Sequence, residues 1–319
     1  MANRIKEKYM AGKRYFDYPM LFLVIFLICF GLVMIYSTSS YKSTVTYGNS
    51  YHWLLRQAVA IVLGAVAMVV CCKLDYHIMK SEKFGNGCYW ASIVLLVLVL
   101  IIGAAKKGAV RWISIAGFQF QPSEVSKILV VIYLANRLSA NAHKIRTFKD
   151  SIVIVLPTVP IIALIVTQNL STALVVCSMI GVMLFVVSPK MKELMLTAGG
   201  GIILLFVYLL TANSYRNERV QIWLHPESHK KGFQTMQALY AIGSGGIFGK
   251  GLGQSMQKMG FIPESHNDMI FSIICEELGL FGAVCLILVF VALIFRMLLI
   301  ALNTEDLFGS LIVIGFMTH

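Results

Sequence analysis

Long apolar runs separated by short polar segments set the pattern of this chain. A helix of about 17–25 mostly apolar residues is long enough to cross the hydrocarbon core of a bilayer. The apolar runs that we interpret as such spans lie near Pro19–Tyr36, Trp53–Val70, Trp90–Ala105, Pro122–Leu138, Ile152–Val166, Leu170–Val187, Leu194–Thr211 and Met269–Leu299. The pattern predicts an all-α polytopic membrane protein built as a helical bundle.

Two late features complete the predicted organisation. A long polar loop, about residues 212–268, separates the seventh run from the eighth. A further apolar run opens at Leu307 and continues to His319, so we expect about nine spans here and the C-terminal end of the domain to be missing. The expectation of about one domain per 150 residues, which holds for soluble proteins, does not apply to a membrane helical bundle. We therefore expect residues 1–319 to form a single transmembrane domain.

Composition agrees with a membrane protein. Hydrophobic residues make up 58% of the 319 and charged residues 13%, whereas soluble domains average roughly 45–50% and about 25%. The seven cysteines lie in or beside the apolar runs and show no C-x-x-C spacing. The sequence thus predicts neither a disulfide framework nor a metal site built from cysteine and histidine.

Lys and Arg in short segments predict the orientation, because such residues concentrate on the cytoplasmic side. The N-terminal segment carries Arg4, Lys6, Lys8, Lys13 and Arg14. With that end inside, the other short inner segments hold Lys73, Lys80, Lys83, Arg137, Lys144, Arg146, Lys149, Lys190, Lys192 and Arg296. The N-terminus is therefore predicted to be cytoplasmic and the 212–268 loop to be extracellular.

Part of the net charge of +12 lies in the predicted outer segments. The cations there are Lys106, Lys107, Arg111, Arg216, Arg219, Lys230, Lys231, Lys250 and Lys258. They suggest an anionic partner at the outer face, such as lipid phosphates, although solvated or headgroup-facing lysines explain them equally well. We expect membrane lipids as partners and no nucleic acid.

The segment Gly243–Gly279 concentrates glycines, lysines and carboxylates next to an apolar run. This segment is not a P-loop, because Gly251 follows Gly249-Lys250 at the position where a P-loop has Ser or Thr. Successive glycines could form an anion-binding concavity to which Lys250 and Lys258 add charge, or simply a flexible loop. Asp268 is the last polar residue before the run at Met269. We expect His266 beside it to be exposed, with a structural role favoured over that of a base.

A second cluster spans Arg111–Lys127. Glu124 and Lys127 are three residues apart, on one face of a helix that Pro122 would begin. They could form a self-neutralising structural pair, or Lys127 could line a polar cavity, as intramembrane charges often do. Arg111-Trp112 could be an interfacial anchor or could hold a diphosphate or a sugar. Both a lipid-phosphate enzyme and a lipid transporter fit these residues.

Two motif blocks give the chain a family resemblance. Gly108-Ala109-Val110-Arg111-Trp112-Ile113 through Lys127 is similar to a G-A-x-R-W-I…F-Q-P-S-E-x-x-K block, and Gly243 through Gly279 to a G-S-G-G-L-F-G-K-G…P-E-x-H-T-D-F-I-F…E-E-L-G block. The chain resembles the SEDS family of FtsW/RodA/SpoVE-type peptidoglycan polymerases from Tyr18 onward. The Gln237–Ile242 segment, with Lys258 and Phe261, looks more like the division and sporulation branch than the RodA branch.

The resemblance implies ten spans with a large extracellular loop between spans seven and eight. It implies a peptidoglycan glycosyltransferase that polymerises lipid II at the outer face of the bacterial cytoplasmic membrane and releases undecaprenyl diphosphate, for septal or sporulation wall synthesis. It also implies a class B penicillin-binding protein and other division proteins as partners. No cofactor is specified, and a divalent cation is left open.

The resemblance also assigns candidate site residues. The essential loop aspartate of the family maps onto Asp268, as catalytic base. The family's Arg-Trp and Gln-Pro-Ser-Glu-x-x-Lys positions map onto Arg111, Trp112, Glu124 and Lys127. We expect these four residues to bind substrate, together with Lys250, Glu264 and His266. Alternatively, a lipid II flippase would use the cationic residues without Asp268 as a base, and a non-catalytic division scaffold would need none of them.

Three departures from the family pattern accompany the match. The frequent Pro-Asp-x-Gly/Ser-Thr turn reads Gln168-Asn169-Leu170-Ser171-Thr172, so an acidic role at position 169 is lost or reassigned. The family's Thr-Asp-Phe reads Asn267-Asp268-Met269, which keeps the aspartate. A G-I-S-L-P-F-I-S-Y-G-G type motif expected near the family's C-terminus does not occur in the sequence.

Overall fold

The structure, a computed structural model, describes residues 16–106, 109–115, 118–145, 147–188, 193, 196, 199–200, 221–228, 232–263 and 265–319. Within them the α-helices are α1 (Tyr18–Tyr47), α2 (His52–Lys73), α3 (Glu82–Ile102), α4 (Pro122–Asn141), α5 (Phe148–Val155), α6 (Val159–Gln168), α7 (Leu170–Val187), α8 (Phe233–Ser244), α9 (Ile270–Asn303) and α10 (Leu307–Met317). Short 3-10 turns occupy Tyr76–Lys80, Ala142–Lys144, Leu156–Thr158 and Pro226–Ser228.

The membrane-spanning character of the chain is confirmed. Six segments within the described residues are long and apolar enough to cross a membrane: Tyr18–Tyr47, His52–Lys73, Glu82–Ile102, Lys149–Gln168, Leu170–Val187 and Ile270–Asn303. The predicted span Pro122–Leu138 forms α4, which is less apolar because it carries Glu124, Lys127 and Arg137. The predicted span Leu194–Thr211 lies largely outside the described residues. The total of about nine spans stays a prediction.

Local signals explain where α1 begins and ends. The Asp17 carboxylate accepts a hydrogen bond from the Met20 backbone N–H at 2.8 Å, and Pro19 lies in the first turn. Gly48 ends the helix in the left-handed region, with φ of 68°, where glycine carries no Cβ penalty. The 30 residues of α1 rise about 45 Å at about 1.5 Å each. That length exceeds the hydrocarbon thickness of roughly 30 Å, so α1 has polar turns to spare at one end.

A small sheet, which the sequence analysis did not predict, follows α3. Strands β1 (Ala104–Lys106), β2 (Ala109–Ile115) and β3 (Phe118–Phe120) form an antiparallel sheet in the order β1-β2-β3. The Trp112 Cα lies opposite Ala104, and Ile113 opposite Phe120. The helical fold class is otherwise as predicted. The sheet replaces the last residues of the predicted span Trp90–Ala105, since α3 ends at Ile102.

The chain divides into two compact units. The first comprises Met1–Met68 and Ser214–Arg296, and the second comprises Val69–Asn213 and Met297–His319. The prediction of a single domain over 1–319 stays a prediction. In the second unit the core centres on α4, where Val130, Leu134 and Leu138 are buried with residues of α3, α6, α7 and α10. Gly315 of α10 lies so close to Val131 that any side chain at position 315 would displace the Val131 side chain.

Two polar contacts fix helix ends in the second unit. The Asn136 side chain of α4 donates to the carbonyl oxygens of Lys80 and Ser81 at 2.6 and 3.0 Å. At the turn between α6 and α7, the Asn169 side chain accepts from the Ser171 backbone N–H at 3.1 Å and caps α7. The Gln168–Thr172 break is thus a helix–helix turn, in which Asn169 serves as an N-cap.

In the first unit, two clusters of apolar side chains pack around α9. Met34 of α1 is buried against Ile274 and Leu286. Ala241 of α8 is buried with Ile262 and Ile273. The buried residues of α1 otherwise include hydroxyl side chains near its C-terminal end, Ser37, Thr38, Ser39 and Ser43. That polar end is where the candidate site is built.

Candidate active site

Asp268 lies in an exposed turn that leads directly into α9. The first hydrogen bond at that end joins the Ile270 backbone N–H to the Asn267 carbonyl oxygen at 3.3 Å. Among the described residues, the Asp268 carboxylate forms no hydrogen bond or ion pair, so it does not cap α9. A carboxylate that is exposed and has no such partner is available to accept a proton from a bound substrate.

The segment before Asp268 is attached to the polar end of α1. The Lys42 ammonium donates to the Pro263 carbonyl oxygen at 2.8 Å, and the Ser265 hydroxyl donates to the Thr38 carbonyl oxygen at 3.3 Å. The buried ring of His266 lies 4.8 Å from the Trp53 ring, centroid to centroid. The prediction that His266 is exposed is therefore wrong, because its ring is buried near Trp53. Its substrate-binding role stays a prediction. Glu264 lies outside the described residues.

The glycine-rich segment is docked onto α9 by its backbone. The N–H groups of Lys250 and Gly251 donate to the carbonyl oxygens of Glu276 and Glu277, each at 2.9 Å. In return, the Leu280 N–H donates to the Gly246 carbonyl oxygen at 2.9 Å. Gly279 interrupts α9 with φ of 70° and ψ of −171°, which frees the groups that make these bonds. The N–H groups of Lys250 and Gly251 are therefore engaged by protein.

Lys250 lies against a buried carboxylate. Its ammonium is 2.8 Å from Glu276 Oε1, and the Glu276 side chain is 0% exposed. Glu276 also accepts from the Ser255 hydroxyl and from the Met256 N–H, the latter at 3.2 Å. Lys250 thus neutralises Glu276, while 36% of its own side chain stays exposed. Its role as a substrate-binding cation stays a prediction.

Glu277 forms a second buried ion pair, whose partner could not be predicted from the sequence. Glu277 Oε1 is 2.7 Å from the Lys258 ammonium, with the two side chains 0% and 6% exposed. The Ser37 hydroxyl of α1 lies 2.7 Å from both carboxylate oxygens and 3.0 Å from the Lys258 ammonium. Two adjacent glutamates inside an apolar run were the available signal, because such charges require partners.

In the second unit, the predicted pair of α4 is formed. The Lys127 ammonium lies 2.8 Å from Glu124 Oε2, with the lysine 8% and the glutamate 48% exposed. Glu124 lies in the first turn of α4, where a negative charge is favoured by the helix dipole. Trp112 is half-buried in β2, and Arg111 belongs to the same strand, although its side chain is outside the described part.

The predicted site residues therefore fall into two groups. Asp268, His266 and Lys250 belong to the first unit, and Arg111, Trp112, Glu124 and Lys127 to the second. Within the ranges that the structure describes, no group of three or more His, Cys, Asp or Glu is placed to hold a metal ion.

Comparison with known proteins places this arrangement in a family. Residues 18–319 match the model of the FtsW/RodA/SpoVE family, described as cell cycle proteins. The chain belongs to the FtsW/RodA/SpoVE family. The match covers both motif blocks and every described helix.

Relatives within the family match over nearly the whole chain. The probable peptidoglycan glycosyltransferase FtsW of Geobacter metallireducens is 35% identical over 313 residues, which are 95% of this chain and 82% of that protein. Stage V sporulation protein E of Bacillus subtilis is 34% identical over 312 residues, 95% of this chain and 83% of that protein. Both branches that the sequence resembles are thus represented.

Two solved structures have the same fold. One is a peptidoglycan synthase complex that coordinates polymerization and crosslinking, with a TM-score of 0.75 and 28% identity over 96% of this chain and 84% of that chain. The other is the rod shape determining protein RodA of Thermus thermophilus, with a TM-score of 0.67 and 26% identity over 95% and 80%. These likenesses confirm the SEDS-type helical fold.

Proposed function

We propose that this protein is a peptidoglycan glycosyltransferase that polymerises lipid II into glycan strands and releases undecaprenyl diphosphate. One observation carries the assignment of its base. Asp268 presents an exposed carboxylate that has no partner among the residues that the structure describes, at the end of a segment held by α1 and α9. The family, and the glycosyltransferase activity for which its FtsW relatives are named, supply the reaction class.

In the proposed reaction, Asp268 takes the proton from the acceptor sugar hydroxyl as that oxygen attacks the anomeric carbon of the donor sugar. The new carbon–oxygen bond forms as the bond to the lipid diphosphate breaks, on the opposite face. A single displacement of this kind inverts the anomeric centre. General-base assistance contributes roughly 10²–10⁴-fold, and positioning two lipid-anchored sugars contributes at least as much.

The cations are proposed to stabilise the leaving diphosphate. Arg111, Lys127 and the exposed part of Lys250 would meet the negative charge that develops as the bond breaks. Glu124 would then orient the Lys127 ammonium from 2.8 Å. Trp112, Glu264 and His266 are assigned to binding the substrate.

The proposed setting is the cytoplasmic membrane of a bacterium, with a cytoplasmic N-terminus and the reaction at the outer face. The chain is a multi-pass membrane protein, and its likeness to a synthase complex supports a class B penicillin-binding protein as partner. We place this pair at the division septum, because the FtsW and sporulation relatives match well.

The test is polymerisation of purified lipid II by the full-length protein, with and without the penicillin-binding protein. Glycan strands on a gel and released undecaprenyl diphosphate are the readouts. Asp268→Asn, purified in parallel, shows whether strands come from a contaminating polymerase. Lipid II that crosses vesicle membranes without forming strands would indicate a flippase, and neither activity would indicate a scaffold.

A further inference from the structure

Two adjacent carboxylates near the start of α9 both bind the same loop, the segment between the end of α8 at Ser244 and the start of α9 at Ile270. Glu276 and Glu277 are each 0% exposed. Glu276 binds the loop through Lys250, Ser255 and the Met256 N–H. Glu277 binds it through Lys258, three residues beyond Ser255. The loop is thus fixed to α9 at two points.

These contacts lie well inside the helix. Glu277 is seven residues after Ile270, the first residue of α9, which corresponds to about 10 Å along the axis at about 1.5 Å per residue. Non-helical backbone and charge persist at such depth only when they are bonded within the protein. The loop meets this requirement through its backbone bonds to Glu276 and Glu277 and through the two ion pairs.

Ser37 extends the second ion pair to α1. Its hydroxyl donates to the Glu277 carboxylate and accepts from the Lys258 ammonium, so three elements meet at one buried point. The next residue of α1, Thr38, accepts a hydrogen bond from the Ser265 hydroxyl at its carbonyl oxygen. Lys42, five residues after Ser37, donates from its ammonium to the Pro263 carbonyl oxygen. The contacts therefore run along α1 toward Asp268.

Lys258 is occupied by these contacts. Its side chain is 6% exposed, and its ammonium already donates to Glu277 and Ser37. An ammonium that is buried and paired in this way is not available to a phosphate group. Its charge instead balances that of Glu277, because leaving either alone in a low-dielectric site is strongly unfavourable.

We propose that Ser37, Lys258 and Glu277 form a positioning triad, which sets the place of Asp268 by fixing its loop to α1 and α9. The effect of the triad on the polymerisation rate rests on the proposed function, whereas its effect on the position of the loop does not. The triad touches no substrate. Its loss misplaces the base, and a misplacement near 1 Å can lower a rate by about 10²-fold.

The first experiment compares steady-state polymerisation of lipid II by the wild type, Ser37→Ala, Ser40→Ala and Glu277→Gln. Ser40 is the matched control, since its hydroxyl donates to the Ser37 carbonyl oxygen of its own helix. We expect kcat to fall by about 10-fold in Ser37→Ala and by about 10²-fold in Glu277→Gln, with KM for lipid II nearly unchanged. Ser40→Ala should match the wild type.

The second experiment measures the loop position without using activity. Thr38→Cys and Ser265→Cys are introduced together, and the rate of disulfide formation under a mild oxidant is followed by mass spectrometry. The triad predicts faster crosslinking in the wild-type background than in Ser37→Ala or Glu277→Gln. Once formed, the crosslink should restore part of the kcat lost in Ser37→Ala, and reduction should remove that gain.

The outcomes separate the two proposals. A wild type that makes no strands overturns the proposed function, and the crosslinking rates still decide the triad. Equal crosslinking rates in all backgrounds would overturn the triad. So would a raised KM with unchanged kcat, since that result would mean that the triad binds substrate. Failure of Glu277→Gln to fold leaves the decision to Ser37→Ala.

Discussion

Gly249 and Gly279 pack backbone against backbone, where the glycine-rich segment meets the interruption of α9. A Cβ on Gly279 would overlap the Gly249 nitrogen, and a Cβ on Gly249 would overlap the Glu277 carbonyl oxygen. Both residues also have positive φ, 77° and 70° respectively. Only glycine satisfies both demands at once, so this contact determines how closely the loop approaches the helix.

Gly279→Ala should therefore destabilise the protein. The backbone conformation alone accounts for about 1–3 kcal/mol, and the overlap with Gly249 adds to it. Gly31→Ala in α1 is the control, because nothing lies within 4 Å of a Cβ there. Thermal unfolding in detergent should show a clear loss for Gly279→Ala and none for Gly31→Ala. Equal transitions would contradict the packing described here.

The apolar helices among the described residues and the polar turn that carries Asp268 could be predicted from the sequence, because apolar runs and isolated polar residues are local signals. The sheet β1–β3 could not, since Ala104–Lys106 continues an apolar run and reads as helix. The partners of Glu276 and Glu277 could not either. Ser37 and Glu277 are 240 residues apart, and a single sequence does not show which distant hydroxyl meets a buried charge.

The Glu124–Lys127 pair predicts unequal effects of its two single neutral variants. Glu124→Gln leaves a buried ammonium with a weaker partner and should destabilise the protein by about 1–3 kcal/mol. Lys127→Gln leaves a half-exposed carboxylate and should change the free energy of unfolding by less than about 1 kcal/mol. Unfolding in detergent measures both.

The double variant Glu124→Gln, Lys127→Gln then separates structure from function. It removes both charges, so we expect stability above that of Glu124→Gln. Polymerisation should stay low if Lys127 contacts the diphosphate of lipid II. Recovery of both stability and polymerisation would assign the pair to structure alone.

The contacts of Asp306 should make the free energy of unfolding depend on pH in the acid range. It caps α10 and lies between α9 and α10, 2.8 Å from the Lys80 ammonium. Burial opposes ionisation of the carboxyl, but Lys80 and the N–H groups of Gly309 and Phe308 outweigh it and hold its pKa below the usual value. A lowered pKa in the folded state adds stability above the unfolded pKa of about 3.9. That stability is lost as the pH falls through the folded value.

Asp306→Asn tests the direction of this pH dependence, because Asn is also a good N-cap but carries no charge. The wild type should be more stable than the variant at neutral pH, and the difference should shrink once the pH falls below about 4. Thermal unfolding in detergent across that range is the measurement. A difference that grows toward acid would mean that the ion pair with Lys80 does not stabilise the fold.

The orientation of the chain can be tested at Ser228, which is exposed in the predicted extracellular loop. Ser228→Cys should react with a membrane-impermeant thiol reagent in intact cells. The parent protein is the control for its own seven cysteines. Labelling that requires lysis would place this loop in the cytoplasm, and would contradict both the topology and an outer active site.

Asp268→Asn tests the base on which the enzymatic proposal depends. Asn has nearly the shape of Asp and can still accept a hydrogen bond, but it is a far weaker base. Expression, stability and binding of lipid II should persist, while polymerisation should fall by about 10²-fold or more. Asp268→Glu keeps the carboxylate but moves it by about one methylene, and a displacement near 1 Å can lower the rate by roughly 10²-fold.

The competing explanation for Asp268 is a helix cap, and the hydrogen bonds at the start of α9 contradict it. No backbone N–H of α9 donates to this carboxylate within the described residues, and the first N–H of the helix instead bonds to the Asn267 carbonyl oxygen. Asn is about as good an N-cap as Asp, so a capping role predicts a nearly silent Asp268→Asn. A purified Asn variant that forms glycan strands at the wild-type rate would therefore rule out Asp268 as the base.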